Sequence, residues 1–194
     1  MRIGIDFDNT IVCYDEVFFK AACLLGLVPP NLTHSKKAVR DYLRSIGNED
    51  AWTQLQGDVY GTRMNLALPF SGVRFFFHHC YHQNIPIAII SHKTLYPYLG
   101  PKHNLHDAAH LWLQSQNFSG PPVAHFELTL EKKLARISAF KCTIFIDDLP
   151  ELLMEKNFPS GVQKVLFDPN DQYSEGPYMR INSWKEIMKR LFVT

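Results

Sequence analysis

The chain has 194 residues, of which 46% are hydrophobic and 20% are charged, a composition typical of one domain that buries an apolar core. Its 20 Lys and Arg residues against 19 Asp and Glu residues give a formal net charge of +1, which argues against a general nucleic-acid binder because such proteins carry a basic excess. The longest apolar run, residues 21–28, is too short to cross a membrane, and the acidic residues near the N-terminus argue against a signal peptide.

Five short apolar segments have the composition of buried strands. In chain order they are residues 2–6, 85–90, 123–128, 142–146 and 162–167. Between and after them, apolar residues recur at helical spacing, most clearly in residues 73–80, 105–113 and 184–191. Strands that alternate with helices predict an α/β fold, in which a Rossmann-like parallel sheet has helices on both faces.

Residues 14–68 interrupt this alternation. The segment has helical periodicity, as in the apolar face of Val39, Leu43 and Ile46, but it contains no convincing strand. It is also too long for an ordinary connection inside a compact domain. We therefore predict a small helical cap at residues 14–68, inserted after the first strand, and an α/β core domain formed by residues 1–13 and 69–194.

Two acidic pairs follow predicted strands. Asp6 and Asp8 end the first strand and, with the two-residue period of a strand, project in the same direction. Asp147 and Asp148 directly follow the strand at 142–146. Because the carboxyl ends of parallel strands meet at one edge of a sheet, up to four carboxylates lie together there and repel each other. A hard divalent cation with oxygen ligands, best matched by Mg²⁺, would remove that cost.

Four short motifs together resemble those of the haloacid dehalogenase-like (HAD) hydrolase superfamily. In the order of that superfamily they are Asp-Phe-Asp-Asn-Thr at 6–10, Ser91 after the strand at 85–90, a lysine in Thr-Leu-Glu-Lys-Lys at 129–133, and the Asp-Asp pair at 147–148. The resemblance covers most of the chain, and it implies a Rossmann-like core with a helical cap. Members that dehalogenate or that pump ions typically have another residue in place of Asp8, so the resemblance implies a phosphatase or a phosphotransferase.

The resemblance also implies catalytic roles. Asp6 would be the nucleophile that forms an aspartyl-phosphate intermediate, and Asp8 would be the general acid and then the general base. Ser91 and Thr10 would bind the phosphate. Lys133 would neutralise charge on the phosphoryl group, because the catalytic lysine of family members opens the helix that leads to the fourth motif, with Lys132 as the alternative.

A metal site is implied in the same way. Mg²⁺ would be held by Asp6, by the backbone carbonyl of Asp8 and by Asp148, with Asp147 in contact either directly or through another ligand. The Asp-Asp form of this motif departs from the common Gly-Asp form. It recurs in family members that resemble nucleotidases and other small-molecule phosphatases.

Other residues are weaker candidates. His92 and Lys93 follow Ser91 and could reach the substrate phosphate, although a solvated loop would place them equally well. In the predicted cap, Arg63 is the best candidate for contacting the substrate, because a guanidinium can bind a second anionic group with two hydrogen bonds. Trp52 and Tyr60 could also contact the substrate, but aromatic residues at helical spacing more often pack in a core.

The predicted function is a Mg²⁺-dependent phosphatase that acts on a small phosphorylated metabolite, either a nucleotide or a sugar phosphate. The alternatives are a polynucleotide or protein phosphatase of the same fold, or a catalytically silent protein that binds phosphorylated metabolites. We expect no nucleic-acid or membrane partner. The four cysteines lack Cys-x-x-Cys spacing and are expected to be reduced thiols, which favours a cytoplasmic location.

Overall fold

The computed structural model describes residues 1–120 and 122–192. The strands are β1 (Ile3–Ile5), β2 (Val12–Cys13), β3 (Leu68–Pro69), β4 (Ile87–His92), β5 (Val123–Glu127), β6 (Ile144–Asp147), β7 (Gln163–Phe167) and β8 (Met179–Ile181). The helices are α1 (Asp15–Leu24), α2 (Lys36–Ser45), α3 (Glu49–Tyr60), α4 (Val73–His82), α5 (Leu105–Ser115), α6 (Leu130–Ala139), α7 (Pro150–Leu153) and α8 (Trp184–Phe192), with a 3-10 helix at Met64–Leu66.

The chain divides into two compact units. The first, which we call the sheet unit, comprises Met1–Val12, Pro69–Lys93 and Asn117–Thr194, and the second, which we call the helical unit, comprises Cys13–Leu68 and Thr94–Gln116. The sequence predicts that residues 94–116 belong to the core domain, whereas the structure groups them with residues 13–68. The physical reason is packing: α5 lies against α3 and the 3-10 helix, and the indole Nε1 of Trp112 donates a hydrogen bond to the carbonyl of Ala67, at 2.8 Å.

The sheet unit is built on six parallel strands in the order β5-β4-β1-β6-β7-β8. Strand β1 lies inside the sheet, where Gly4 pairs with Ala88 on one side and with Phe145 on the other. Ile3 and Ile5 are completely buried, as expected for a strand covered on both faces. The predicted α/β fold with a Rossmann-like parallel sheet is confirmed.

Each of the five predicted strand segments overlaps one strand of this sheet. The sixth strand, β8, was not predicted, because Met-Arg-Ile is short and has no apolar run that would distinguish it from the preceding loop. It pairs with β7 at the edge of the sheet, where Ile181 lies opposite Phe167.

Close packing fixes the strand that leads into the acidic residues. A Cβ atom added to Gly4 would lie 2.6 Å from Cδ2 of Phe145 and 2.7 Å from Sγ of Cys142, so these two side chains occupy the space that any larger residue at position 4 would need. After β1, the buried indole of Trp184 donates a hydrogen bond to the carbonyl of Thr10, at 3.0 Å. The loop that carries the first motif is therefore tied to α8.

The helical unit has its own aromatic core. Trp52 of α3 is buried and its ring centroid lies 5.0 Å from that of Phe18 of α1. Tyr60 packs edge-on against Tyr14 and Phe18. Packing therefore accounts for Trp52 and Tyr60 without a substrate.

Within the described residues, no helix combines the length and the apolar character that crossing a membrane requires.

Candidate active site

The centre of the site is a buried ammonium group between two carboxylates. Asp6 directly follows β1, and its backbone N–H donates to the carbonyl of Ile146, which extends the pairing with β6. The Nζ atom of Lys133 donates to Oδ1 of Asp6 and to Oδ2 of Asp147, each at 2.6 Å. Asp6, Lys133 and Asp147 are all buried, with exposed fractions of 5%, 3% and 0%.

The start of α6 decides which of the two lysines enters the site. The Thr129 side chain accepts a hydrogen bond from the backbone N–H of Lys132 and so caps the helix. Successive residues of a helix differ by about 100° in direction. Lys133 therefore points into the sheet unit, whereas Lys132 is exposed.

The acidic surroundings change the ionisation of both partners. Burial raises the pKa of Asp6 from 3.8 to about 7; Lys133 opposes this increase, and the nearby carboxylates of Asp147 and Asp8 add to it. Burial alone would lower the pKa of Lys133, but attraction to Asp147 and Asp6 outweighs burial and raises it. The lysine therefore stays positively charged, whereas Asp6 is the group whose negative charge is least stable in the metal-free site.

The fourth motif continues from β6. Asp147 accepts hydrogen bonds on both oxygens, because Oδ1 receives the backbone N–H of Leu149 at 2.9 Å in addition to the Lys133 contact on Oδ2. Asp148 is half-buried, and its Oδ1 accepts a hydrogen bond from the hydroxyl of the buried Thr10, at 3.4 Å. The first and fourth motifs are thus connected both by Lys133 and by Thr10.

The acidic group fits a divalent cation. One carboxylate oxygen from each of Asp6, Asp147 and Asp148 lies within 4.8 Å of the others, and the part of the chain that the structure describes has no second such group of three potential ligands. With Asp8 included, four carboxyl groups meet two buried ammonium groups, which leaves an excess of two negative charges when all four are ionised. Hard oxygen donors with that excess match the charge and the ligand preference of Mg²⁺.

The strand that carries the second motif presents alternate residues to the site. Ser91 is buried, and its role toward a phosphate stays a prediction. His92 is exposed, and its Nε2 lies 3.2 Å from the carbonyl oxygen of Leu128. The next residue, Lys93, is 4% exposed, and its Nζ donates to both oxygens of Asp8, at 2.8 and 3.0 Å. The structure thus brings Lys93, rather than His92, to the Asp8 carboxylate.

The alternation of a strand explains this difference. The backbone N–H of Lys93 donates to the carbonyl of Glu127, at 2.9 Å, so the pairing with β5 continues one residue beyond β4. With a two-residue period, Ser91 and Lys93 point to one side and His92 points to the other. The sequence signal that could have identified Lys93 is this spacing from Ser91.

Arg63 lies in the helical unit. Its Nε donates to Oδ2 of Asp58, at 2.5 Å, and both side chains are partly buried. Asp58 also accepts a hydrogen bond from the hydroxyl of Thr62. Arg63 is thus held at the end of α3 by a local ion pair, and its role toward a substrate stays a prediction.

Comparisons with known proteins connect this site to a fold. No protein-family model matches the sequence, and no curated protein is detectably similar to it. Solved structures are similar: a phosphoserine phosphohydrolase-like protein from Francisella tularensis has a TM-score of 0.60 at 11% identity, over 98% of this chain and 99% of that chain. An L-2-haloacid dehalogenase has a TM-score of 0.59 at 12% identity, over 97% of each chain.

A HAD phosphatase from Thermococcus onnurineus has a TM-score of 0.54 at 15% identity, over 98% of this chain and 97% of that chain. Identities this low show a common fold and leave the reaction open, since the similar structures include both phosphatases and dehalogenases. The order of the four motifs and the parallel sheet agree with that fold. The chain therefore has the fold of the haloacid dehalogenase-like hydrolases.

Proposed function

We propose that the protein is a Mg²⁺-dependent phosphatase that hydrolyses a small phosphorylated metabolite, of the nucleotide or sugar phosphate class, through an aspartyl-phosphate intermediate. The observation that carries the proposal is the grouping of two carboxylates after β1, Asp6 and Asp8, each bonded to its own buried lysine. A nucleophile, a proton-transfer group and positive charge for a phosphoryl group are the parts that this reaction needs.

Asp6 is the nucleophile in this proposal. One of its carboxylate oxygens attacks the phosphorus atom in line, and a bond forms to phosphorus as the ester bond to the leaving alcohol breaks. Lys133 fixes the direction of the carboxylate through Oδ1 and offsets the negative charge of the phosphoryl group. The buried Ser91 hydroxyl donates a hydrogen bond to a phosphoryl oxygen.

Asp8 moves the protons. It gives a proton to the oxygen of the leaving alcohol in the first step, and it accepts a proton from water in the second step, when that water attacks phosphorus and releases Asp6. The presence of a carboxyl group at position 8 supports phosphate transfer over dehalogenation, because only the former needs a proton donor for an alcohol.

The metal in this proposal would be held by Asp6, Asp148 and the backbone carbonyl of Asp8. Asp147, with hydrogen bonds on both oxygens, orients Lys133 and can add a ligand. Bound Mg²⁺ would supply the positive charge that allows a phosphate dianion to approach this group of carboxylates.

The net charge and the cysteines of the protein support two further parts of the proposal, a small substrate and a cytoplasmic location. The net charge of +1 supports a small substrate over a polynucleotide, which needs a basic groove. The four cysteines are free thiols, which supports the cytoplasmic location expected from the sequence.

A panel of substrates tests the function. Release of inorganic phosphate is measured for nucleoside monophosphates, sugar phosphates, a phosphorylated oligonucleotide and a phosphopeptide, with Mg²⁺ and then with EDTA; halide release from an L-2-haloacid is measured in parallel. We expect Mg²⁺-dependent phosphate release from one small class, and its loss in Asp6→Asn. Preference for the oligonucleotide or phosphopeptide, release of halide, or no turnover with any compound would each contradict the proposal.

A further inference from the structure

Lys93 is a buried lysine that the four motifs do not account for. Its ammonium group contacts both carboxylate oxygens of Asp8, at 2.8 and 3.0 Å, and its side chain is 3% exposed whereas that of Asp8 is 19% exposed. The nucleophile Asp6 has a different lysine, Lys133, as its partner. The two lysines therefore serve different carboxylates, so Lys93 does not duplicate Lys133.

Lys93 is itself held firmly. Its backbone N–H is bonded to the carbonyl of Glu127 in the sheet, and its Nζ lies 5.6 Å from the centre of the Phe7 ring. Phe7 is completely buried and packs edge-on against Phe126, with ring centroids 5.2 Å apart. An ammonium group fixed on the sheet in this way can act as an anchor for a less constrained side chain.

Asp8 is the side chain that this ammonium group contacts. It lies beyond β1, just before Asn9, whose φ of 59° turns the chain sharply. Its side chain has two torsions, χ1 and χ2, and both have to be set for the carboxylate to keep one position and one orientation. Because Lys93 contacts both oxygens, it restricts rotation of the carboxylate as well as its position. Proton transfer requires such placement, since a displacement of about 1 Å can reduce a rate roughly 100-fold.

We propose that Lys93 is a positioning residue that holds the Asp8 carboxylate in place for proton transfer, an inference that rests on the proposed function. Lys93 thus acts through Asp8. A cation that instead bound the phosphate would affect all phosphate esters equally, because every ester presents the same phosphoryl group. A positioning residue affects most those esters whose leaving alcohol needs a proton.

The test compares two esters whose leaving groups differ strongly in basicity. For Lys93→Met, kcat/KM is measured for the best alkyl phosphate of the panel and for 4-nitrophenyl phosphate, whose leaving group needs little protonation. We expect kcat/KM to fall about 100-fold for the alkyl ester and much less for the aryl ester. Lys156→Met, which removes an exposed lysine of the same unit, is the matched control and should change neither value.

A double-mutant cycle shows whether Lys93 acts through Asp8. In Asp8→Asn, adding Lys93→Met should cause no further loss of kcat/KM on the alkyl ester, because the group that Lys93 positions is already inactive. The double variant also keeps the inference testable if Lys93→Met alone does not fold, because it leaves no buried carboxylate without its lysine. Thermal unfolding of each variant identifies that case.

The outcomes separate the inference from the proposed function. The positioning role would be overturned if Lys93→Met lowered kcat/KM equally for both esters or not at all, or if the double variant lost more activity than Asp8→Asn. In each of these cases, turnover by the wild type would still support the proposed phosphatase function. A wild-type protein that releases no phosphate from any ester would overturn the proposed function, and the inference with it.

Discussion

The pKa of Asp6 predicts an unusual dependence of stability on pH in the metal-free protein. The value rises from 3.8 in an unfolded chain to about 7 in the folded protein, so the folded state binds the proton more tightly. Below pH 4 the group is protonated in both states and does not lower the free energy of unfolding. As the pH rises from 4 through 7, the unfolded state ionises first, and the free energy of unfolding falls until the folded state has also lost the proton. Most native carboxyl groups behave in the opposite way.

The magnitude follows from the two pKa values. Compared with a low pH at which both states are protonated, ionisation of Asp6 lowers the free energy of unfolding by about 2 kcal/mol at pH 5 and by about 4 kcal/mol at pH 8. The contribution of Asp6 therefore lowers the free energy of unfolding by about 2 to 3 kcal/mol between pH 5 and pH 8. Asp6→Asn keeps the shape and the Lys133 contact but has no charge. The variant should therefore gain about 2 to 3 kcal/mol on the wild type between pH 5 and pH 8.

Urea denaturation of both proteins in EDTA measures this difference directly, and using the difference removes the contribution of titrating groups that do not interact with Asp6. A ligand that binds only the folded state stabilises it more the higher its affinity. Because Asp6→Asn removes a proposed carboxylate ligand, Mg²⁺ at pH 8 should stabilise the wild type more than the variant. A difference between the two proteins that is the same at pH 5 and pH 8, or that moves in favour of the wild type as pH rises, would refute the reasoning.

Three further substitutions test the packing around the site, each measured by urea denaturation in EDTA. Lys133→Met leaves the two carboxylates it bridges unpaired and should cost about 3 to 5 kcal/mol; a loss below 1 kcal/mol would contradict the ion-pair geometry. Trp184→Phe leaves the Thr10 carbonyl without its donor and should cost about 1 to 3 kcal/mol, so unchanged stability would refute that contact. Gly4→Ala places a methyl group against Phe145 and should cost about 1 to 3 kcal/mol; a variant as stable as the wild type would show that β1 has room.

The parallel sheet and the meeting of the acidic pairs could be predicted, because both follow from short-range patterns. Apolar runs identify buried strands, and strand polarity then brings Asp6 and Asp147 to one edge. The choice of Lys133 over Lys132 came from the family resemblance. The structure adds the physical reason, which is the cap at Thr129 that sets the phase of α6.

The features that were missed depend on contacts distant in sequence. The sequence leaves open whether His92 and Lys93 reach a substrate phosphate or lie in a solvated loop, whereas in the structure pairing with Glu127 extends the strand by one residue and so directs Lys93 inward and His92 outward. Residues 94–116 join the helical unit through the hydrogen bond from Trp112 to Ala67, which no local pattern signals. In both cases, strand against loop after Ser91 and core against helical unit for residues 94–116, the local sequence is compatible with either structure and a tertiary contact determines which one forms.

Trapping the covalent intermediate tests the central claim most directly. The wild-type protein is mixed with its best substrate and Mg²⁺, quenched in acid within one turnover, reduced with borohydride and digested, and the peptide that contains Asp6 is analysed by mass spectrometry. An acyl phosphate on Asp6 predicts conversion of that residue to homoserine, in wild type and not in Asp6→Asn. Phosphate release by a protein whose Asp6 stays unmodified, or modification at another carboxyl group, would contradict the account.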